Sequence, residues 1–322
     1  MGLNGVIVQK YCVQALAAVG AIVLAKGAFN YLSFAYFYLL RPSSLAKYFH
    51  GAPAYALVTG ASDGIGKAVA RELYDKGFNV ILHGRSEEKT RQVADEIRER
   101  RAGDVRYFIA DASEPKQDFE AMLKSYKDCN ITLVVHNVGG SRIHERVDSM
   151  SESSVISTIH LNAIFPLLLT RALLPRLRSS AKYGPVMVQF VGSVTADMSP
   201  AGVAVYGASK AFIRAVTRGL DNDERTWGQP SGVRFSYLSV ASVVTSSNRG
   251  DVTTSAPSAD QFAKALVSSI GCGYRSYAPW MVHAATLWVL GAVREGVVDN
   301  MMIKEMKKVR EKQDFYDGVA SE

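Results

Sequence analysis

The sequence predicts an α/β chain whose sheet is parallel and doubly wound, and three observations carry that expectation. Short apolar runs such as Tyr55-Ala-Leu-Val-Thr59 alternate with helical patterns, the order that builds βαβ units. A glycine-rich string stands between the first of these runs and its helix, as in a Rossmann-type nucleotide turn. Ahead of both lies Tyr11 to Leu40, free of charge except for Lys26. The chain therefore divides into an anchor and linker over 1–50, a Rossmann-type domain over 51–278, and a C-terminal apolar helix with a charged tail over 279–322.

With 322 residues, 48% hydrophobic and 21% charged, the chain is long enough for one large domain with a full core plus appendages. Cys12, Cys129 and Cys272 are scattered, with no metal-ligand spacing and no disulfide framework, so no metal is expected. A formal charge of +7 suits anionic partners such as nucleotide phosphates, coenzyme A or lipid headgroups. No basic run interleaved with aromatics points to nucleic acid.

Thirty helical residues reach roughly 45 Å, more than the ~30 Å hydrocarbon core of a bilayer. Two arrangements of a membrane anchor fit. One is a tilted helix over about 6–25 with an interfacial aromatic segment from Phe29 to Tyr38 after it; the other is a span over about 27–40. No small-x-small cleavage site comes after a short apolar core, which argues against a signal peptide. Arg41 and Lys47 favour a cytosolic side for the domain on their C-terminal side, and Lys10 on the far flank weakens that bias.

The first strand ends in Thr59-Gly60-Ala61-Ser62-Asp63-Gly64-Ile65-Gly66, and a helical pattern over 67–76 comes next. Glycines at a strand-to-helix turn let backbone approach a pyrophosphate, and the helix N-terminus supplies N–H groups and a positive dipole end. Thr59, Gly60, Ser62, Asp63, Gly64, Ile65 and Gly66 are the candidate cofactor contacts. The second strand, 79–83, leads to Gly84-Arg85 where an NAD site usually has an acid; Arg85 suits a 2′-phosphate, so NADP(H) is the expected cofactor. The third strand, 105–109, delivers Asp111, which either touches an adenine edge or caps the helix after Pro115. The fourth, 131–136, ends in His136-Asn137-Val138-Gly139 and brings Asn137 to the carboxyl edge of the sheet. His83, His136, His144 and His160 read as structural residues.

A long helical stretch over 151–180 holds Asn162 with Pro166 one turn later, a pattern that predicts a kink. The strand at 186–191 then gives Gly192-Ser193-Val194-Thr195, and Tyr206-Gly-Ala-Ser-Lys210 lies beyond it. Tyrosine and lysine four apart share a helix face. A nearby ammonium favours the phenolate and lowers the phenol pKa from ~10, which suits acid–base chemistry. The same spacing also arises by accident on helix surfaces, so the pair alone proves little.

Taken together, Thr59-Gly60-x-x-x-Gly64-x-Gly66, Asn137-x-Gly139, Asn162, Ser193 and Tyr206-x-x-x-Lys210 resemble the short-chain dehydrogenase/reductase family over about 55–282. The resemblance implies that Tyr206 passes a proton, Ser193 polarises a carbonyl, Lys210 binds the nicotinamide ribose and tunes the tyrosine, and Asn162 holds a relay water. It also implies a homodimer through the helices around Asn162 and Tyr206. One departure stands out: after the sixth strand the family has Pro-Gly-x-Val-x-Thr, and here the chain reads Val240-Ala-Ser-Val243-Val-Thr245. Val243 and Thr245 remain in place for the nicotinamide amide, while the substrate-side wall is in doubt.

Loop 246–258, rich in Ser, Thr and Gly, has the composition of a mobile lid. A helix over 259–270 precedes the apolar segment 280–293, which reads as a buried or membrane-surface helix, and then a basic tail. The anchor, the His-Asn-Val-Gly string and Ala256-Pro-Ser-Ala-Asp-Gln-Phe262 look like a fungal version of the microsomal very-long-chain 3-oxoacyl-CoA reductase and 17β-hydroxysteroid dehydrogenase type 12 subgroup. That resemblance implies an endoplasmic reticulum membrane protein with a cytosolic domain and NADPH-driven reduction of a 3-oxoacyl-CoA in fatty-acid elongation. A steroid or other lipophilic ketone is the alternative substrate. A non-catalytic NADP-binding membrane scaffold is the alternative of another kind.

Overall fold

The computed structural model describes residues 3–143, 146–227 and 229–319, so His144 lies outside the described residues. The chain forms two compact units, divided between Pro42 and Ser43. The first is one helix, α1 (Leu3–Ala35), which continues as a π-helical turn over Tyr36–Leu40. No break separates the segments of the two expected anchor arrangements. The apolar stretch and the aromatic segment lie on a single helix, with Leu16, Ile22, Leu24 and Phe29 exposed.

The second unit begins earlier than the expected linker boundary. Leu45 and Tyr48, in a 3-10 turn at Leu45–Tyr48, are buried in its core. Its sheet has seven parallel strands: β1 (Ala54–Thr59), β2 (Asn79–Gly84), β3 (Val105–Ile109), β4 (Asn130–His136), β5 (Val186–Val191), β6 (Val233–Leu238) and the short β7 (Ser276–Tyr277). Their spatial order is 3-2-1-4-5-6-7. The chain runs outward from β1 to β3, then crosses to the other side of β1 for β4. The crevice at such a switch, outside the carboxyl ends of the strands, is where ligands bind in open α/β sheets. Thr59 is paired with both His83 and His136, so β1, β2 and β4 end level with one another.

Alternation along the strands divides the core. Ala56 and Val58 face a cluster with Leu73, Val93 and Phe262, from α2 (Gly64–Asp75), α3 (Glu87–Arg98) and α9 (Ala259–Ser269). Tyr55 and Leu57 face the opposite cluster, with Phe165, Leu169 and Ile213. Phe165 and Leu169 come from α6 (Phe165–Ser180) and Ile213 from α8 (Ala204–Thr226). Each such fully buried side chain contributes about 2 kcal/mol.

Three local features differ from, or sharpen, the sequence reading. The helix after Pro115 is α4 (Phe119–Leu123), and its cap is Asp118, which accepts the Ala121 N–H at 2.9 Å; Asp111 therefore does not cap it. The stretch 151–180 is α5 (Glu152–Ile159), a π-helical turn at His160–Ile164, then α6, so the expected kink is a π turn centred on Asn162. Pro166 sits in the first turn of α6, where its missing N–H costs little. After β7 come α10 (Met281–Gly291) and α11 (Glu295–Val319). His283 is the buried residue of α10, while Trp288 is 70% exposed.

Candidate active site

A cleft of about 490 Å³ runs along the carboxyl ends of β1, β2, β4, β5 and β6. Arg85 and Asp111 line one end, the glycine-rich turn lies between, and Ser193, Tyr206 and Lys210 line the other.

The turn is held by backbone packing. Gly60 and Gly64 adopt φ of 64° and 54°, a region that costs glycine nothing. A Cβ on Gly66 would lie 2.1 Å from the Gly60 carbonyl oxygen, so α2 can approach β1 this closely only with glycine there. Thr59 and Gly66 do not line the cleft; they support it from behind. The Thr59 hydroxyl accepts the N–H groups of Asn137 (3.0 Å) and Val138 (3.1 Å), locking the β4 turn to β1. His83 accepts from the Gly60 N–H (3.3 Å) and its other nitrogen meets the Ala110 carbonyl at 3.1 Å. Burial pushes this ring down to about 4, so it stays neutral. Asp63 accepts the Gly64 N–H at 2.6 Å and receives the Ser246 hydroxyl from across the cleft. Ser62 and Ile65 line the wall beside them.

Asp111 accepts both the N–H (2.9 Å) and hydroxyl (2.6 Å) of Ser113, and Arg85 stands 3.9 Å away. Burial alone would raise this carboxyl; the two Ser113 bonds and then Arg85 outweigh it and keep it ionised below its ordinary range. The Arg85 side chain is largely exposed at the rim, free to reach an anionic group bound beside it.

At the other end three elements converge. Asn162 is buried in the π turn; its amide donates to Gly140 O (2.8 Å) and Thr158 O (2.9 Å), and its oxygen accepts the Gly140 N–H (3.0 Å). It lies behind the cleft lining. A Cβ on Gly139 would meet Asn162 Oδ1 at 2.7 Å and Lys210 Nζ at 2.8 Å, so both side chains close over the same backbone point. Lys210, buried, donates to the Val191 carbonyl at 3.1 Å. Its Nζ is 5.6 Å from the centre of the Tyr206 ring.

The sequence places this ammonium beside Tyr206 to lower the phenol pKa. The structure differs: burial holds the phenol above its ordinary value, opposed by the Ser193 hydroxyl, and the same burial pushes Lys210 down to about 8. Loss of water disfavours charge on both partners. Tyr206 is thus a protonated acid at neutral pH, and Lys210 is a cation that titrates near it.

Ser193 is held from several sides. Its N–H donates to the Tyr237 hydroxyl (2.9 Å), which in turn donates to Ser193 O (3.0 Å). Its Oγ accepts the Thr195 hydroxyl (2.9 Å) and N–H (3.2 Å) at the start of α7 (Thr195–Met198).

The wall after β6 is shaped from a distance. Val243, itself buried, and Thr245, which packs against Gly64, both line the cleft. The His283 ring accepts the Ala241 N–H (3.4 Å) through Nδ1, while Nε2 meets the Ser242 (3.1 Å) and Ser255 (3.2 Å) carbonyls. The indole of Trp280 donates to Thr254 O at 2.7 Å. The base of the loop is closed by Val244 N–H donating to Pro257 O at 2.9 Å. Thr195, Tyr237, Trp280 and His283 are contributors that sequence reasoning missed. Thr195 was visible only as the end of the Gly192-Ser193-Val194-Thr195 string, and no local signal marked the others.

His136 and His160 have structural partners: Thr170 Oγ1 at 2.8 Å and the Ala112 carbonyl at 2.9 Å. Among the described residues, His, Cys, Asp and Glu form no metal-holding group of three or more.

The arrangement fits a dinucleotide. It has a backbone cradle with no room for a Cβ, a helix start opening onto the cleft, a rim cation, and an acid–cation pair at the far end.

A profile of the family described as short chain dehydrogenase matches residues 54–255. The very-long-chain 3-oxoacyl-CoA reductase of Kluyveromyces lactis is 31% identical over 257 residues, covering 77% of this chain and 73% of its own. The protein of the same name in Pyricularia oryzae is 28% identical over 284 residues, covering 85% and 83%. Among solved structures, a short-chain dehydrogenase from Sphingobium yanoikuyae in complex with NADPH superposes with a TM-score of 0.61 at 23% identity, covering 76% of this chain and 94% of that one. That likeness speaks for the fold.

Proposed function

The chain belongs to the short-chain dehydrogenase family, and from that premise we propose that it is a membrane-anchored oxidoreductase that reduces a ketone on a lipophilic substrate with NADPH. The substrate we assign is the 3-keto group of a long-chain 3-oxoacyl-CoA, in fatty-acid elongation at the endoplasmic reticulum membrane. The relatives' names support the substrate, and α1, long and apolar enough to cross a bilayer, supports the anchor. Arg85 at the rim supports the 2′-phosphate of NADPH.

One observation carries the chemistry: Ser193, Tyr206 and Lys210 meet at one end of a cleft that runs past the glycine cradle to Arg85 at its rim. The reduced nicotinamide, when bound, supplies the hydride. The chain's own residues supply the rest. The Ser193 hydroxyl donates to the carbonyl oxygen and stabilises the charge that grows there. Tyr206, kept protonated by burial, gives its proton to that oxygen as the alcohol forms. The Lys210 ammonium steadies the phenolate that remains, and Asn162, fixed in the π turn by Gly140 and Thr158, holds the relay water that replaces the proton.

Detergent-solubilised protein should consume NADPH with long-chain 3-oxoacyl-CoA faster than with steroid ketones. Turnover of the steroid alone would move the substrate to the alternative that the altered wall at 240–242 suggests, and no turnover with any ketone would leave a scaffold. Tyr206→Phe should lose about 10²–10⁴-fold in kcat and still bind NADPH.

A further inference from the structure

A hydroxyl has one proton to give and two lone-pair positions with which to accept. The Ser193 oxygen already accepts twice, from the Thr195 hydroxyl at 2.9 Å and the Thr195 N–H at 3.2 Å. What is left to Ser193 is a single donation, and the side chain it meets at the cleft is Tyr206. Its backbone has no freedom to turn away, because Tyr237 binds its N–H and its carbonyl together. The adjoining residues are pinned as well: Gly192 N–H donates to Leu238 O (2.8 Å) and Val194 N–H to Val240 O (3.0 Å). A Cβ on Gly192 would overlap the phenol end of Tyr237, so this clamp has no play on that side either.

We propose that Thr195 is a positioning residue that fills the acceptor capacity of Ser193 and so makes it an obligate donor toward the substrate carbonyl. The inference rests on the role assigned to Ser193 in the reduction. Without the Thr195 hydroxyl, Ser193 would be free to accept a hydrogen bond from the Tyr206 hydroxyl, which would aim the acid at a neighbour instead of the substrate. With it, both hydroxyls point their protons at one place. A hydrogen bond that is itself donated to also polarises the next in the chain, which strengthens the Ser193 donation.

The test is Thr195→Val, which removes the hydroxyl while keeping the branched shape and the N–H, with Thr195→Ser as the conservative rescue. Thr195→Val should lower kcat about tenfold, the effect of one hydrogen bond felt in the transition state. KM, NADPH affinity and melting temperature should stay near wild type, and Thr195→Ser should recover most of the loss. The double variant with Ser193→Ala should be no slower than Ser193→Ala alone, because Thr195 acts only through that oxygen. A wild-type kcat in Thr195→Val, a Thr195→Ser variant as slow as the valine, or additive losses in the double variant would each overturn the proposal. Ser193→Ala separates the two levels. If it turns over normally, the role of Ser193 itself fails; if it is slow while Thr195→Val is not, only the inference about Thr195 fails.

Discussion

The glycine-rich turn after β1 and the wall after β6 face one cleft and are built by opposite means. The turn is backbone resting on backbone, Gly66 on the Gly60 carbonyl, within a few residues of sequence. The wall takes its shape from His283 and Trp280, some forty and twenty-six positions downstream of the atoms they hold. A site made of close backbone approach is set by what is absent, and any added atom breaks it. A site hung from distant side chains is set by what is present, and loosens by degrees when a bond is removed.

That contrast orders the expected effects. Gly66→Ala should be the most damaging change, because its Cβ has rigid backbone 2.1 Å away; overpacking of this kind costs about 3 kcal/mol, and thermal melts with NADPH titration should show lost stability and lost binding together. Gly139→Ala should sharpen the comparison. Its φ of 158° costs alanine some stability, but its Cβ meets the side-chain ends of Asn162 and Lys210 rather than backbone. The protein should therefore lose less stability than Gly66→Ala and still bind NADPH while kcat falls by about a hundredfold or more. If Gly139→Ala unfolds the chain instead, the distinction between rigid and yielding neighbours is wrong.

Next comes pH. Lys210 has its pKa depressed to about 8, so its ammonium is present below that pH and lost as pH rises through it. Tyr206, raised above its ordinary value, stays protonated over the same range. The kcat/KM for ketone reduction by the free enzyme should therefore fall on the alkaline side with a midpoint near 8. A profile flat to strongly alkaline pH would show that the lysine charge is not used. Smallest should be the wall: His283→Ala removes bonds to Ala241, Ser242 and Ser255, and should raise KM for the ketone several-fold with NADPH affinity little changed. An equal rise for both ligands would mean that the wall serves the cofactor too.

The same contrast explains what the sequence disclosed. The parallel sheet and the glycine cradle were legible because each depends on neighbours in sequence: an unbroken apolar run at Tyr55–Val58, buried throughout, and glycines between a strand and its helix. The meeting of Ser193, Tyr206 and Lys210 became legible once they were read as a set with the cradle. The direction of the phenol's pKa was not legible, because spacing on a helix reports proximity and says nothing of burial, which here outweighs the Ser193 hydrogen bond and raises it. Asp111 was ambiguous because an acid that caps a helix and an acid at an adenine edge look alike in one dimension; only the folded chain has Asp118 in the capping position. The continuity of α1 through Gly27 was hidden by a glycine that nothing crowds. His283 was unreadable, since its partners are main-chain atoms that no residue identity announces.

The attachment of α10 decides where this enzyme ends. The family profile stops at residue 255, and the seven strands are complete by Tyr277. A fragment trimmed to either limit would keep the reacting side chains, yet the loop beside them would have lost its rafters. Minimal-domain versions of this chain should be cut beyond Gly291, since the roof of the site is carried by a helix outside the profile's borders.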